Sequence, residues 1–330
     1  MMTSPLLLGI DIGGTKIMAC LYDSDLTLLA ATSVPTPASE GGDAMIAAAC
    51  AMGETLALDL GGESGSGLGA TLTEAGKAWA ETHAGETPNI AAIGVGAAGL
   101  IDSENGVVTA ASDSFQGWAG YEVRSALQHW RDVPVAMEND VNAFLIAQMA
   151  NRPQSEQRRS VLGLMLGTGV GGALWLNGGI FRGTGYSAGE IGHIPGFDDV
   201  PCTCGARGHL EGLAGGRGIA RLWHEATGGD EDTREVGDLA RSGDERALAL
   251  WDQAGDSVAK AVAICQSLLD IDEVVIGGSV AKSWDLLEPA IRRGIEAYPV
   301  PIAREVAIAH ADDGDDTVAR GAAASARLLL

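Results

Sequence analysis

Twice in its 330 residues the chain runs from a strand-like stretch through a glycine turn into a second strand. The first unit is LLLGIDIGGTKIMACLYD, residues 6–23, and the second is VLGLMLGTGVGGALWLNGGIF, residues 161–181. Two β-like runs separated by a short glycine turn predict a hairpin. In the first unit Gly13 and Gly14 form the turn, and Thr15 and Lys16 bring backbone amides and a cation together, as a phosphate requires. Asp11, just before the turn, adds a carboxylate of the kind that holds magnesium or a water. A plain hairpin accounts for the same residues. The unit is not a Walker A loop, which needs G-x-x-x-x-G-K-[ST] leading into a helix. In the second unit Gly167, Thr168 and Gly169 form the turn. Gly167, Gly169 and Gly172 also spell G-x-G-x-x-G, with Glu190 near the distance of a dinucleotide fold's acidic residue. That keeps an NAD-dependent oxidoreductase open as the alternative. Its fingerprint must open a helix, however, whereas ALWLNGGIF reads as strand broken by an Asn-Gly turn.

The stretch from Gly189 to Glu211, GEIGHIPGFDDVPCTCGARGHLE, reads as neither helix nor core strand. Gly192, Pro195, Gly196 and Pro201 interrupt every turn, and its apolar residues do not alternate. His193, Cys202, Cys204 and His209 form a tetrahedral N/S set of the kind zinc prefers, and metal binding would replace the missing hydrophobic core. The other reading is a polar surface loop with two incidental thiols. Glu190 and Glu211 are poor zinc ligands beside thiolates, which leaves them free to accept hydrogen bonds from hydroxyl groups.

Composition narrows the function classes. A formal net charge of −23 argues against nucleic acid as a partner, because phosphates need lysine and arginine, and against anionic membranes. The only lysines are Lys16, Lys77, Lys260 and Lys282, so a lysine beside a motif stands out. No stretch approaches the roughly 20 apolar residues of a membrane span. The first residues lack the basic and apolar regions of a secretory leader. Cys20, Cys50 and Cys265 are isolated among apolar residues, so a reduced, cytoplasmic protein is expected.

Between these landmarks, helices are expected over 45–60, 72–82, 121–130, 142–149, 252–269, 286–297 and 317–330, with a Gly/Ser loop over 61–69. Strands are expected over 90–102, 133–137, 273–280 and 305–309. The strand over 133–137 delivers Glu138, Asn139 and Asp140, and α/β proteins place catalytic groups at such strand-to-helix junctions. A helix N-cap is the other common role of an aspartate there. Gly277-Gly278 ends a strand where backbone can approach a flat adenine. Two strand–turn–strand units gripping a polyphosphate from opposite sides are the arrangement of the actin-like and hexokinase-like ATPase fold. The expectation is therefore α/β, with a ribonuclease H-like sheet core duplicated in two domains and a zinc-stabilised loop. The expected boundaries are 1–118 plus 318–330 for the smaller domain and 119–317 for the larger.

The pattern G-E-x-G-H, a short gap, then C-x-C-G-x-x-G-C-x-E resembles the signature of the ROK family of repressors, open reading frames and sugar kinases. The chain matches it at Gly189, Glu190, Gly192, His193, Cys202, Cys204, Gly205, Gly208 and Glu211, with His209 in place of the third cysteine. GIDIGGTK, GAAGLID, ENDVNA, LGTGVGG, VVIGGSV and the final GAAA follow in family order. The resemblance implies an ATP-dependent sugar kinase using Mg²⁺ and a structural zinc. It would act on the C6 hydroxyl of a hexose or N-acyl-hexosamine, glucose first and N-acetylmannosamine next. Asp140 would be the general base, and Gly99, Ser112, Asn139, Glu190, His193 and Glu211 would hold the sugar. His193 would serve metal and sugar at once. Ala98 stands where the family often has proline, and Ser112-Asp113-Ser114 where many hexose kinases carry an asparagine. A homodimer is usual in the family. A fructokinase and a sugar-binding regulator are the nearer alternatives. The family's repressors carry a helix-turn-helix ahead of the first glycine motif, which here begins at Gly9. That start and the acidic charge favour an enzyme.

Overall fold

The computed structural model describes residues 5–63, 69–301, 304–311 and 314–330. These divide into two compact units. Unit 1 comprises residues 1–152, 183–186 and 314–330; unit 2 comprises 153–182 and 187–313.

Unit 1 opens with β1 (Leu6–Ile12), β2 (Lys16–Tyr22) and β3 (Leu28–Pro35), followed by α1 (Gly42–Leu60). Next come β4 (Thr71–Leu72), α2 (Glu74–Thr82), β5 (Ile90–Ala97) and the short hairpin β6 (Leu100–Asp102) and β7 (Val107–Ala110). Then follow α3 (Val123–Trp130), β8 (Val135–Asn139) and α4 (Asp140–Ala150). The sheet order is β4-β3-β2-β1-β5-β8. β1 to β4 are an antiparallel meander, while β5 runs parallel to β1, and β8 to β5. β1 is buried along nearly its whole length, as a strand inside a two-faced sheet must be.

Unit 2 repeats the pattern. It contains β9 (Val161–Leu166), β10 (Val170–Leu176), β11 (Gly179–Ile180), α5 (Glu211–Ala214), α6 (Gly216–Thr227), α7 (Thr233–Arg241), α8 (Glu245–Leu269), β12 (Glu273–Gly277), α9 (Trp284–Ala297) and β13 (Ala307–His310). The order is β11-β10-β9-β12-β13, again an antiparallel meander continued by parallel strands. This duplicated mixed sheet is the α/β architecture expected. Asn177 (φ 55°) and Gly178 (φ 86°) make the β10–β11 turn, as Asn-Gly should. α7 begins with a complete capping box: Asp232 accepts from the Glu235 amide and Glu235 accepts from the Asp232 amide.

The division differs from the expected break at 118. Residues 119–152 belong to unit 1 because β8 pairs with β5 and α4 packs on α10 (Thr317–Arg327). α10 lies close on its neighbours because glycines face its backbone. A β-carbon at Gly94 would fall on the Ala322 carbonyl, and one at Gly321 on the Ala143 carbonyl of α4. Of the expected Gly/Ser loop, residues 64–68 lie outside the described residues. Among the described residues no helix is long and apolar enough to cross a membrane.

Candidate active site

In unit 1 the GIDIGGTK turn is a tight antiparallel hairpin, with Ile12 opposite Ile17 and the Gly13 amide donating to the Lys16 carbonyl at 3.1 Å. It is braced from β3: the Thr36 hydroxyl donates to the Gly13 carbonyl at 2.7 Å. Gly14 and Thr15 are exposed. The Phe115 ring lies 3.7 Å from where a β-carbon on Gly14 would stand. Ser112, in the same loop as Phe115, is exposed, with its hydroxyl 3.0 Å from that of Ser114.

Asp11 and Asp140 face each other electrostatically. Burial first, then the Asp140 carboxylate, pushes the Asp11 carboxyl up to about 7, against the pull of Lys16. A carboxyl that rises on folding stabilises the native state below its unfolded pKa, and this contribution is lost as pH climbs through the folded value. The metal-free protein should therefore lose about 4 kcal/mol of stability from this group between roughly pH 4 and pH 7. Urea titrations across that window check it: Asp11→Asn should flatten the slope, and an unchanged slope would remove the assignment.

At the strand-to-helix junction the N-cap is not Asp140 but its neighbour. The cap of α4 is Asn139, whose Oδ1 accepts from the Val141 and Asn142 amides at 2.9 and 3.3 Å. Its Nδ2 donates to the Gly99 carbonyl at 3.0 Å, where Gly99 adopts φ 117°. Asn139 and Gly99, both expected at the sugar, thus also hold each other and the start of α4. Asp140 is the first residue of the helix, and its Oδ1 accepts from the Val141 amide at 3.0 Å.

In unit 2 the stretch over 189–210 contains only one short 3₁₀ turn, Ile191–His193, and two isolated bridges, Pro195 with His209 and Pro201 with Arg207, and Glu211 opens α5. The Cys202 amide donates to the Ala206 carbonyl and the Gly205 amide to the Cys202 carbonyl, which closes the C-x-C segment into a tight loop. Ligand atoms of His193, Cys202 and Cys204 lie within 4.8 Å of one another. His209 stands at the edge of this trio, with Nδ1 3.4 Å from Cys204 Sγ and its ring edge-on to that of His193 at 5.6 Å. A tetrahedral zinc with bonds of about 2.0–2.3 Å spaces its donors about 3.5 Å apart, so His193, Cys202 and Cys204 could share one ion after contraction, while His209 approaches Cys204 alone. Glu190, exposed, meets His193 Nδ1 at 3.1 Å.

Glu211 departs from a purely sugar-facing role. It is buried, and both its oxygens have partners within the unit. Thr203 and Cys202 donate to Oε1, the latter at 3.3 Å, and the Val170 amide donates to Oε2 at 3.2 Å. Burial would raise its carboxyl, but these hydrogen bonds and the His193 imidazole outweigh burial and hold it below the ordinary range. Glu211 ties the C-x-C loop to the turn between β9 and β10, and Gly169 leaves room for its carboxylate.

That turn is an antiparallel hairpin, Leu166 opposite Val170, with no helix opening at the glycines. The geometry of a dinucleotide fingerprint is therefore absent. Gly167 and Thr168 instead line a cleft of about 690 Å³ with Gly216, Ser279, Val280 and the cations Arg217, Arg234 and Lys282. Gly169, Gly277 and Gly278 are not in its wall. Gly278 (φ 93°) packs against the Leu166 backbone, so its missing side chain serves strand packing, and the next two residues reach the cleft. Sequence reading missed Arg217, Thr233, Arg234 and Lys282 here; the scarcity of lysine was the signal that could have found Lys282. Among the described residues those three cations form no ion pair, whereas Arg241 in the same wall is committed to Asp238 and Asp285.

The ROK family model matches residues 66–328. The chain belongs to the ROK family. It is 31% identical over 327 residues to an N-acetyl-D-glucosamine kinase of Citrobacter koseri, covering 96% of this chain and 97% of that protein. It is 28% identical over 309 residues to a glucokinase of Halalkalibacterium halodurans, covering 89% and 86%. Among solved structures, a ROK family glucokinase from Streptomyces griseus in complex with glucose and AMPPNP superposes with a TM-score of 0.76. It shares 25% identity and covers 98% of this chain and 99% of that one. The relatives of this ROK chain named here are thus sugar kinases with different sugars.

Proposed function

We propose that the chain is an ATP-dependent sugar kinase that phosphorylates the C6 hydroxyl of a hexose or N-acylated hexosamine, glucose first. The observation that carries this reading is the unit 2 cleft. Three uncommitted cations gather beside a glycine turn in a chain of net charge −23, and that arrangement suits a nucleotide's phosphates. Relatives named for glucose and for N-acetylglucosamine support both sugar classes.

Phosphoryl transfer needs mainly position and charge. Asp140 accepts a hydrogen bond from the sugar's primary hydroxyl and takes its proton. The hydroxyl oxygen forms a bond to the γ-phosphorus while the bond to the β-phosphate oxygen breaks, and ADP leaves with that electron pair. The glycine turns at 13–16 and 167–169 supply amides to phosphate, and Lys16 supplies charge. Magnesium, when bound with the nucleotide, neutralises developing charge, and Asp11 is the carboxylate suited to hold it or its water. Glu190 and His193 accept or donate to ring hydroxyls, Ser112 lies in the loop that selects the sugar, and Asn139 and Glu211 hold the surrounding backbone. The soft N/S set of His193, Cys202, Cys204 and His209 would hold a zinc that fixes the loop and takes no part in transfer.

ADP release coupled to a reporter, measured with glucose, N-acetylglucosamine, N-acetylmannosamine and fructose, tests the sugar. ATP with Mg²⁺ should raise the melting temperature while NAD leaves it unchanged, because only a ligand of the native state stabilises it. A shift with NAD alone would reverse the reading.

A further inference from the structure

Arg217 lies in the wall of two cavities. One is the cleft with Gly167, Thr168 and Lys282. The other is a smaller pocket of about 170 Å³ formed with Pro201, Cys202, Thr203 and Glu211. Arginines elsewhere in this acidic chain are largely committed: Arg207 to Asp199, Arg292 to Glu288, Arg293 to Asp252. Arg221, the other cation of the small pocket, is spent on Glu225 and the Gly212 carbonyl. Among the described residues the Arg217 side chain has no ion pair or hydrogen bond.

Its backbone is fixed where its side chain is not. The Gly216 amide donates to the Gly167 carbonyl at 2.8 Å and the Arg217 amide to the Thr168 carbonyl at 3.1 Å. The backbone that carries the guanidinium is thus anchored on the turn read as holding phosphate. On its other side, across the small pocket, the loop is packed on α5, and α5 on α6. A β-carbon at Gly212 would stand 2.8 Å from the Pro201 carbonyl, and one at Gly218 would meet the Gly212 carbonyl. The segment from Pro201 to Thr203 therefore has little room to move without moving the first turn of α6.

We propose that Arg217 holds the terminal phosphate of the donor nucleotide and that its grip is set by the packing of the Cys202–Thr203 loop. The proposal rests on the kinase reading above. A planar guanidinium suits a phosphate through paired N–H donors, and confining its stem lowers the entropy lost when it binds. The hydrogen bond from Thr203 to Glu211 fixes the loop that forms the facing wall of the small pocket beside the Arg217 stem.

The test is calorimetric titration of MgATP and ADP into wild type, Arg217→Ala, Arg217→Lys, Thr203→Val and the Arg217→Ala/Thr203→Val double variant. Arg217→Ala should weaken MgATP by about 10- to 100-fold, the range of one charge-assisted hydrogen bond, and ADP by much less. Arg217→Lys should recover part of the loss. Thr203→Val should weaken MgATP several-fold in the wild-type background and not at all beside Arg217→Ala. Wild-type affinity in Arg217→Ala, equal losses for ATP and ADP, or additive losses in the double variant would each overturn the inference alone. Wild type that binds no ATP would overturn the kinase reading itself.

Discussion

Asp140→Asn should lower kcat by about 100- to 10,000-fold, the usual contribution of a positioned general base, while sugar binding survives. The amide keeps size and an acceptor oxygen but cannot take the hydroxyl proton. The structure sharpens this contrast, because α4 is capped by Asn139 and keeps that cap in the variant. A loss of turnover therefore cannot be assigned to a frayed helix. Steady-state kcat beside a direct sugar titration of the same protein gives the answer, and wild-type turnover would remove the base. Removing the Asp140 charge should also let the Asp11 carboxyl fall, because that charge is the second cause of its rise after burial.

Cys204→Ser should abolish zinc binding and loosen the loop over 189–211. Elemental analysis of wild type purified without chelators should give close to one zinc per chain. The variant should be destabilised by about 4 kcal/mol or more, the class of effect expected when a structural metal is lost. The sugar KM should rise with it, since His193 and Glu190 lose the loop that fixes them. Nucleotide affinity should fall as well, because Glu211 joins the C-x-C loop to the β9–β10 turn. Wild-type protein without zinc would end this account of the loop and leave Glu211 and its hydrogen bonds as the loop's anchor.

Local chemistry determined a large part of this protein in advance. Apolar runs marked the strands, and glycine-rich turns marked both hairpins. The junction after Met137 placed Asp140 between a strand and a helix expected from 142, and α4 in fact begins at Asp140. The interrupted stretch over 189–211 could be read as a loop because glycine and proline forbid regular structure over a few residues, and its donors could be read because thiols and imidazoles are few. Each of these signals acts over about one turn or one strand, a range over which sequence order and spatial neighbourhood coincide.

What tertiary structure alone decided involves partners far apart in the chain. Residues 119–152 fell to unit 1 through pairing of β8 with β5 and packing of α4 on α10, whose residues lie more than 160 positions further on. The cations Arg217, Arg234 and Lys282 became one cleft only when α6, α7 and the end of β12 came together. Gly278 proved to serve the Leu166 backbone, and Glu211 became a strut only once Val170 and Thr203 stood on either side of it. The raised Asp11 carboxyl likewise depends on burial and on Asp140, 129 positions away. The physical reason is common to all of these. Burial, ion pairing and hydrogen bonding depend on distance in space, and an amino-acid pattern records a residue's chemistry and period but not which remote residue will share its surroundings.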